Sequence, residues 1–225
     1  MRQSSKKRVY EINPSGACPR QKNTEKLESR LSRRNKTSSS QEKKVPVPGN
    51  LKQVKSQSEF VEDDMDIEFR KFTDYNRGIM YEILKDAYSF DERCAICWDE
   101  NWKQSDAFFF DNPDIADKYG FITCYKGEPI GFICWDPRNR PEYVEIGHNG
   151  IKTKYKGKGF GKAQLSEAVR RIKEYEGLKE IRVWTNSNLI APKNYESVGF
   201  VLYDKKENND EAAFSGDYLY YKIQL

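Results

Sequence analysis

A cluster of glycines and lysines at residues 156–162 is the segment of the chain best suited to bind a phosphate group. It reads Lys156-Gly157-Lys158-Gly159-Phe160-Gly161-Lys162 and lies between a predicted strand and a predicted helix. Glycines let backbone N–H groups approach a ligand closely, and a helix N-terminus adds unpaired N–H groups with a partial positive charge. The segment therefore predicts a phosphate or pyrophosphate cradle, with a basic, flexible turn as the alternative.

Two common nucleotide-binding motifs do not fit this cluster. A Walker A loop requires Ser or Thr after the Gly-Lys pair, where this chain has Ala163. A Rossmann fingerprint requires Gly-x-Gly-x-x-Gly at the first strand-to-helix turn, but here the glycines are spaced more tightly and come late in the chain. Neither a Walker A loop nor a Rossmann dinucleotide site is therefore expected.

A second segment, residues 188–200, reads Asn-Leu-Ile-Ala-Pro-Lys-Asn-Tyr-Glu-Ser-Val-Gly-Phe. Following the glycine cluster in this order, it resembles the second signature of the GCN5-related N-acetyltransferase (GNAT) superfamily, Asn-x-x-Ala-x-x-Leu-Tyr-x-x-x-Gly-Phe. The cluster itself resembles the first signature, Arg/Gln-x-x-Gly-x-Gly/Ala. Lys156 at the first position and Asn194 in place of Leu are departures. The resemblance covers roughly residues 66–225.

The resemblance implies an α/β chain with a mixed α+β sheet, in the acyl-CoA N-acyltransferase fold. This fold has a central, mostly antiparallel sheet flanked by helices. The resemblance also implies acetyl-CoA as co-substrate, no metal, and direct transfer of the acetyl group to a primary amine in a ternary complex. The residues expected to hold the cofactor are Ile151, Lys156, Gly157, Lys158, Gly159, Phe160, Gly161, Lys162 and Asn188.

Acetyl transfer to an amine needs a base for the amine, a polarised carbonyl and an acid for the departing thiolate. The resemblance assigns the acid to Tyr195 and a base to Glu145, while His148 is a second candidate base because an unperturbed histidine has a pKa near 6.5. On a regular strand Glu145 and His148 point to opposite faces, but a bulge would change this. Backbone N–H groups near residues 149–151 could polarise the carbonyl. Packing or solvated roles are the alternative for each of the three side chains.

The elements that must position these residues can be predicted from apolar spacing. Residues 119–125 and 130–135 form a hairpin around a Lys-Gly-Glu-Pro turn, and residues 143–151 form the strand before the glycine cluster. Leu165, Ala168, Val169 and Ile172 recur at helical spacing. With the remaining patterns, the predicted order is β-α-α-β-β-β-α-β-α-β-β.

A second predicted helix, from about Glu92 to Gln104, carries Cys94, Cys97, Trp98 and Trp102 roughly on one face. A Cys-x-x-Cys pair can also bind zinc, but no second pair of ligands has suitable spacing. We therefore expect a buried helix face here. Trp98, Trp102 and the phenylalanines at 108–110 are expected in the core, with an acceptor pocket as the alternative.

The charge distribution divides the 225-residue chain in two. Residues 1–60 carry 15 Lys or Arg and five Asp or Glu, a net charge of +10, whereas residues 61–225 carry 24 and 30, a net charge of −6. The first segment contains two aromatic residues and is too polar to form a core. We therefore predict a basic, disordered N-terminal arm at residues 1–60 and an acetyltransferase domain at residues 61–225.

Composition excludes several classes of protein. No apolar run is long enough for a transmembrane helix, and the N-terminus lacks the apolar region of a secretory signal. Five cysteines without a dense framework favour a reducing, cytoplasmic setting, and a single histidine makes a His-rich metal site improbable.

The expected partner is a small-molecule or protein amine acceptor, without a membrane, and the oligomeric state is left open. Two alternatives remain at this point. The domain could be a non-catalytic CoA-binding sensor or interaction module. It could also be a nucleic-acid-associated or ribosome-associated protein acetyltransferase recruited by the basic arm. Any contact with nucleic acid is expected through residues 1–60 alone, because the rest of the chain is acidic.

Overall fold

The computed structural model describes residues 66–209 and 215–225, so the predicted N-terminal arm lies outside the described residues. The strands are β1 (Ile67–Arg70), β2 (Gly120–Tyr125), β3 (Glu128–Asp136), β4 (Tyr143–Ile151), β5 (Glu180–Asn186), β6 (Val201–Lys206) and β7 (Tyr218–Gln224). The helices are α1 (Ile79–Ala87), α2 (Glu92–Asp111), α3 (Pro113–Lys118), α4 (Phe160–Lys173) and α5 (Ala191–Ser197). Two short 3₁₀ turns, Phe72–Asp74 and Thr153–Tyr155, complete the described elements.

The strands form one seven-stranded sheet in the order β1-β2-β3-β4-β5-β7-β6. Only the β4–β5 pair is parallel, and α4 makes the crossover between these two strands. Parallel neighbours need such a crossover, whereas β2 and β3 are joined by the predicted tight hairpin. The mixed, mostly antiparallel sheet flanked by helices confirms the predicted fold class.

Two apolar layers cover the two faces of the sheet. On one face, Leu165 and Ala168 of α4 pack against Val144, Ile146 and other sheet residues. On the opposite face, α1 and α2 bury Leu84 and Trp102 against Phe132. Trp102 is therefore a core residue, as the helical spacing predicted, and the two layers hold β3 and β4 between them.

The start of α1 depends on a residue of another helix. Asp106 of α2 is almost fully buried, and its carboxylate accepts hydrogen bonds from the backbone N–H groups of Gly78 (2.8 Å) and Met80 (3.1 Å). A carboxylate at a helix N-terminus satisfies unpaired donors and interacts favourably with the helix dipole. Burial raises the pKa of Asp106, and these hydrogen bonds oppose that shift.

The second helix is longer than its sequence pattern predicted. It continues beyond Gln104 to Asp111. Directly after it, α3 begins with Pro113 in its first turn, a helix that the predicted order of elements did not include. Proline is well accommodated in the first turn of a helix because its missing N–H would have no partner there. Among the described residues, no helix is both long and apolar enough to cross a membrane.

Candidate active site

The carboxyl ends of β4 and β5 are separated by an opening in the sheet. Their pairing covers only Tyr143 with Glu180, Val144 with Ile181, and Glu145 with Arg182. Beyond these pairs the two strands diverge, so the β5-facing backbone edge of residues 146–151 borders the opening. Open α/β sheets bind ligands at such a place, outside the carboxyl ends of strands.

A bulge in β4 changes which side chains share a face. Ile133 of β3 pairs with Asn149, but Trp135 pairs with Ile146, so Cys134 alone faces both Gly147 and His148. The extra residue shifts the alternation of side chains by one position. Glu145 and His148 therefore lie on the same face of the sheet, the face covered by α1 and α2, as the bulge alternative allowed.

Glu145 lies among charged and aromatic side chains. It is paired with Asp136 across β3 and β4 and with Arg182 across β4 and β5. Burial raises the pKa of Glu145, the charge of Asp136 raises it further, and Arg182 opposes both. The Arg182 guanidinium lies over the ring of Tyr143, with 4.1 Å from its central carbon to the ring centroid.

His148 is held by the second helix. Its Nε2 lies 3.1 Å from the Ser105 hydroxyl, and its ring contacts Phe132 edge to face. Burial lowers the pKa of His148 to about 4. The imidazole is therefore neutral at physiological pH and forms one hydrogen bond with Ser105.

The glycine loop (residues 156–161) has the backbone conformation that its sequence predicted. Gly157 (φ 74°) and Gly159 (φ 87°) have left-handed backbone angles, and Gly159 is the N-cap of α4. Residues 157–159 are exposed, so their backbone groups are accessible. At Gly161, an added Cβ would lie 3.2 Å from the Asn194 side-chain nitrogen, so glycine permits close approach of α5.

The side chains of this loop make different contacts. The ammonium of Lys156 donates a hydrogen bond to the carbonyl of Ala87 at the end of α1, and burial lowers its pKa. Phe160 is buried against the rings of Tyr125 and Tyr155. Lys158 and Lys162 are exposed, so within the loop and the first turn of α4 they are the cations accessible to a ligand.

Tyr195 lies on α5 beside the glycine loop and the opening. The residue is only 4% exposed and packs against Phe200 and Tyr221. Burial raises the pKa of Tyr195 to about 12, and the polar side chain of Asn149 partly offsets this rise. Tyr195 thus carries a protonated hydroxyl at the end of β4.

Asn188 is engaged with the segment that precedes β7. Its side-chain nitrogen donates hydrogen bonds to the backbone carbonyl (2.9 Å) and hydroxyl (3.2 Å) of Ser215, while its backbone N–H donates to Asn186. These contacts fix the turn between β5 and α5. Asn188 thus helps to hold the start of the tyrosine-bearing helix.

The predicted residues form two groups around the opening. Tyr195, Ile151 and the glycine loop meet near the start of α4, on the face that α4 covers, whereas Glu145 and His148 lie on the opposite face. Sequence reasoning missed the side chains of Asn149 and Gln164, which join β4 to α4 by a hydrogen bond. No local signal marks them, because the two residues are 15 positions apart.

A family model described as "Acetyltransferase (GNAT) family" matches residues 78–200, which is more than half of the chain. The chain belongs to the GNAT acetyltransferase family. The match includes both segments that carried the resemblance, as well as Glu145 and His148. Membership places the chain among the acyltransferases and confirms the family predicted from its sequence.

Solved structures share the GNAT fold at low sequence identity. The ribosomal-protein-S18-alanine N-acetyltransferase of Escherichia coli is 19% identical, with a TM-score of 0.52 over 70% of this chain and 92% of that one. Ard1 of Thermoplasma volcanium is 14% identical (TM-score 0.53, covering 71% and 98%). The protein yncA of Salmonella typhimurium, solved with its cofactor acetyl-CoA, is 15% identical (TM-score 0.54, covering 71% and 94%). No curated protein matches the chain significantly.

Proposed function

We propose that this GNAT protein transfers an acetyl group from acetyl-CoA to a primary amine directly, in a ternary complex. The observation that carries the proposal is the buried hydroxyl of Tyr195, which lies beside both the β4–β5 opening and the start of α4. A phenol with a pKa of about 12 keeps its proton at neutral pH. It can therefore donate this proton to a sulfur leaving group when the thioester bond breaks.

The residues of the glycine loop fit the phosphate groups of a CoA molecule. Gly157 and Gly159 have left-handed backbone angles and are exposed at the start of α4, where the helix dipole favours an anion. Lys158 and Lys162 supply positive charge there, whereas Lys156 secures the loop to α1. When bound, acetyl-CoA supplies the activated acetyl group as a thioester.

Glu145 is assigned as the base for the amine. Keeping a lysine-like amine neutral at pH 7 costs about 4–5 kcal/mol, because its pKa is near 10.4. A base with a raised pKa accepts the proton better than one with a lowered pKa, and burial raises the pKa of Glu145 but lowers that of His148. Glu145 accepts the amine proton, while backbone N–H groups of residues 149–151 polarise the carbonyl.

The residue roles correspond to a balanced reaction. The amine nitrogen forms a bond to the acetyl carbon, the carbon–sulfur bond breaks, Tyr195 protonates the sulfur, and Glu145 takes the proton of the amine. Proton exchange with solvent then restores both side chains. No cysteine is needed as an acyl carrier, and burial leaves Cys94 and Cys134 with raised pKa values that disfavour a nucleophilic thiolate.

Residues 61–225 are proposed as the catalytic unit, and a cytoplasmic location remains a prediction from the cysteine content.

The neighbour from Escherichia coli is named for a protein amine acceptor, and Ser-rich, basic residues 1–60 would suit recruitment of a macromolecule. The acceptor class itself is left to experiment, because a fold and its cofactor site do not fix the substrate.

Initial-velocity kinetics test the proposal. The full chain is given acetyl-CoA and a panel of amines: spermidine, kanamycin, a lysine-containing peptide and a peptide with a free amino terminus. Release of free thiol is the readout. Intersecting double-reciprocal lines for the best acceptor, with no acetylated protein detected by mass spectrometry when the amine is omitted, support direct transfer. Parallel lines together with a trapped acetyl-enzyme would overturn it.

A further inference from the structure

Three aromatic side chains form a cluster on the sheet face that α4 does not cover. Trp184 of β5 pairs with Tyr220 of β7, and the ring of Tyr218 meets that of Trp184 edge to face, with 5.7 Å between the centroids. The neighbouring residues Val183 and Tyr221 are buried in the layer that contains α4. Because successive side chains of a strand point to opposite faces, Trp184 and Tyr220 lie on the face opposite to α4. We call Trp184, Tyr218 and Tyr220 the aromatic cluster.

The aromatic cluster lies beside the β4–β5 opening, on the same face as Glu145. Glu145 pairs with Arg182, and this is the last pair between β4 and β5. Trp184 is two residues further along β5, about 7 Å beyond that pair. In this part of β5 one edge remains bound to β7 as far as Asn186, so the other edge faces the opening. Trp184 and Glu145 are therefore on one face, at the rim of the same opening.

The space next to Trp184 is open on this face. Gly147 has no side chain, and apart from its chain neighbours an added Cβ would have only the sulfur (3.5 Å) and the carbonyl oxygen (3.7 Å) of Cys134 within 4 Å among the described residues. The layer that α1 and α2 bury takes its described strand residues from β2 and β3, and none from β5 or β7. The three rings of the aromatic cluster remain partly exposed. A ligand in the opening can therefore reach them.

The chemistry of this face favours one kind of acceptor. An amine that gives its proton to Glu145 must enter the opening on the face where Glu145 lies, and there the part of the molecule attached to the nitrogen meets Trp184. An indole offers a flat apolar surface, and a second aromatic ring packs against it more favourably than its area alone predicts. Cross-strand aromatic pairs also stabilise sheets, but stability alone does not require the pair to be at the opening.

We propose that the acceptor is a primary amine carried on an aromatic ring, and that this ring packs against Trp184 while the nitrogen reaches Glu145. A short chain joins the ring to the nitrogen, because Trp184 is only two residues beyond the strand pair of Glu145. The inference rests on the proposed function, in which Glu145 takes the amine proton. Trp184 determines the choice of acceptor in this account and does not touch acetyl-CoA.

The first test needs no variant. The full chain with saturating acetyl-CoA is given 2-phenylethylamine, 2-cyclohexylethylamine, which carries a saturated ring instead, and spermidine, which has no ring. We expect kcat/KM for 2-phenylethylamine to exceed that for 2-cyclohexylethylamine about fivefold, in the range of one packed pair of aromatic rings, and to exceed that for spermidine by more. An equal or higher kcat/KM for either of the other amines would overturn the inference.

Substitution of Trp184 tests the contact with the ring. Trp184→Leu should raise KM for 2-phenylethylamine about tenfold and remove its advantage over 2-cyclohexylethylamine, with KM for acetyl-CoA within about twofold of wild type. Trp184→Phe keeps an aromatic ring and should keep most of the advantage. Tyr203→Leu is the matched control, because Tyr203 is an exposed aromatic residue of β6, which β7 separates from β5. An equal rise of KM in the control, or an unchanged KM in Trp184→Leu, would overturn the inference.

Nuclear magnetic resonance gives a readout without catalysis, which serves also if Trp184→Leu folds poorly. The chain has four tryptophans, so its ¹⁵N-labelled form gives four indole N–H signals. Addition of 2-phenylethylamine to the full chain saturated with CoA should shift the signal of Trp184, which is identified by its loss in Trp184→Phe. Trp135 is the internal control, because its Nε1 donates to the Tyr175 hydroxyl in the layer that contains α4. An unchanged Trp184 signal, or an equal shift of the Trp135 signal, would overturn the inference.

The outcomes distinguish this inference from the proposed function. If none of the amines releases thiol, the proposed acetyl transfer fails and the inference fails with it. If amines react without preference for an aromatic ring, only the class of acceptor is wrong, and direct transfer to a primary amine stands.

Discussion

The two sides of the β4–β5 opening hold their functional groups by different means. On the side covered by α4, Tyr195 is a neutral group held by aromatic packing, and Asn149 and Gln164 are neutral amides joined by a hydrogen bond, next to a backbone loop. On the side covered by α1 and α2, Glu145 and His148 are titratable groups whose pKa values are shifted mainly by burial. The comparison indicates that the first side should respond to changes in geometry, and the second to changes in charge and pH.

The largest effect is expected at Glu145. Glu145→Gln removes the proposed base and should lower kcat about 100-fold at pH 7.5, in the range typical of general bases. Because the folded pKa of Glu145 is raised, folding favours its protonated form, and the ionised form destabilises the protein above that pKa. The variant should therefore have a higher Tm at pH 7.5, and this gain should vanish below pH 4.

Steady-state thiol release and thermal melts of the same preparations check both effects. Glu142→Gln, an exposed glutamate that forms a salt bridge with Lys179, is the control for loss of a carboxylate. A kcat within threefold of the wild type would exclude Glu145 as the base.

The next largest effect is expected at His148, as a loss of stability at acidic pH. Its pKa of about 4 in the folded chain lies below the unfolded value near 6.5, so its contribution to stability is complete above pH 6.5 and is lost as pH falls toward 4. The free energy of unfolding should fall by about 2 kcal/mol between pH 7.5 and pH 5 through this group. His148→Gln, which cannot titrate, should lose that part of the pH dependence. Urea unfolding at the two pH values measures it, and an identical pH dependence in wild type and variant would contradict the assignment.

On the opposite side of the opening, a change in backbone geometry should affect binding. Gly159→Ala places a Cβ at a left-handed N-cap, which costs about 1–2 kcal/mol, so Kd for acetyl-CoA should rise about tenfold. Gly177→Ala is the matched control for Gly159→Ala, because Gly177 also has a positive φ (69°) and an added Cβ there would meet nothing within 4 Å. Calorimetric titration should show the rise in Kd for Gly159→Ala alone; equal Kd values for the two variants would contradict the role of the loop.

The smallest effect is expected outside the described residues. Removing residues 1–60 should leave kcat and KM for a small amine unchanged, because the proposed catalytic groups all lie between Glu145 and Tyr195. If the arm recruits a macromolecular acceptor, removal of the arm should raise KM for that acceptor and remove the salt dependence of this KM. Thiol-release assays at 50 and 200 mM salt distinguish the two outcomes. A loss of activity with small amines would show that the catalytic unit needs the arm.

Local sequence patterns predicted the strands, the main helices and the family. The hairpin at residues 119–135 and the amphipathic spacing in α4 depend on near neighbours, which is why they could be predicted from the sequence. The short helix α3 and the extension of α2 to Asp111 were missed because Pro113 indicates a turn as readily as a helix start.

The site was harder to predict because its contacts are distant in sequence. The β4 bulge that brings Glu145 and His148 to one face depends on pairing with β3. The ammonium of Lys156 bonds the carbonyl of Ala87, 69 positions away, and the contact of Lys156 with the cofactor stays a prediction. The bond between Gln164 and Asn149 likewise depends on α4 packing against β4. Periodicity contains no information about such contacts.

The central claim is that the Tyr195 hydroxyl donates the proton to the leaving sulfur. Its most direct test is single-turnover thiol release by Tyr195→Phe compared with Tyr221→Phe. Tyr221 is also a buried tyrosine, but its hydroxyl bonds Glu196. We predict a rate about 100-fold below wild type for Tyr195→Phe, with an unchanged Kd for acetyl-CoA, and a rate within twofold of wild type for Tyr221→Phe. A wild-type rate in Tyr195→Phe would contradict the account.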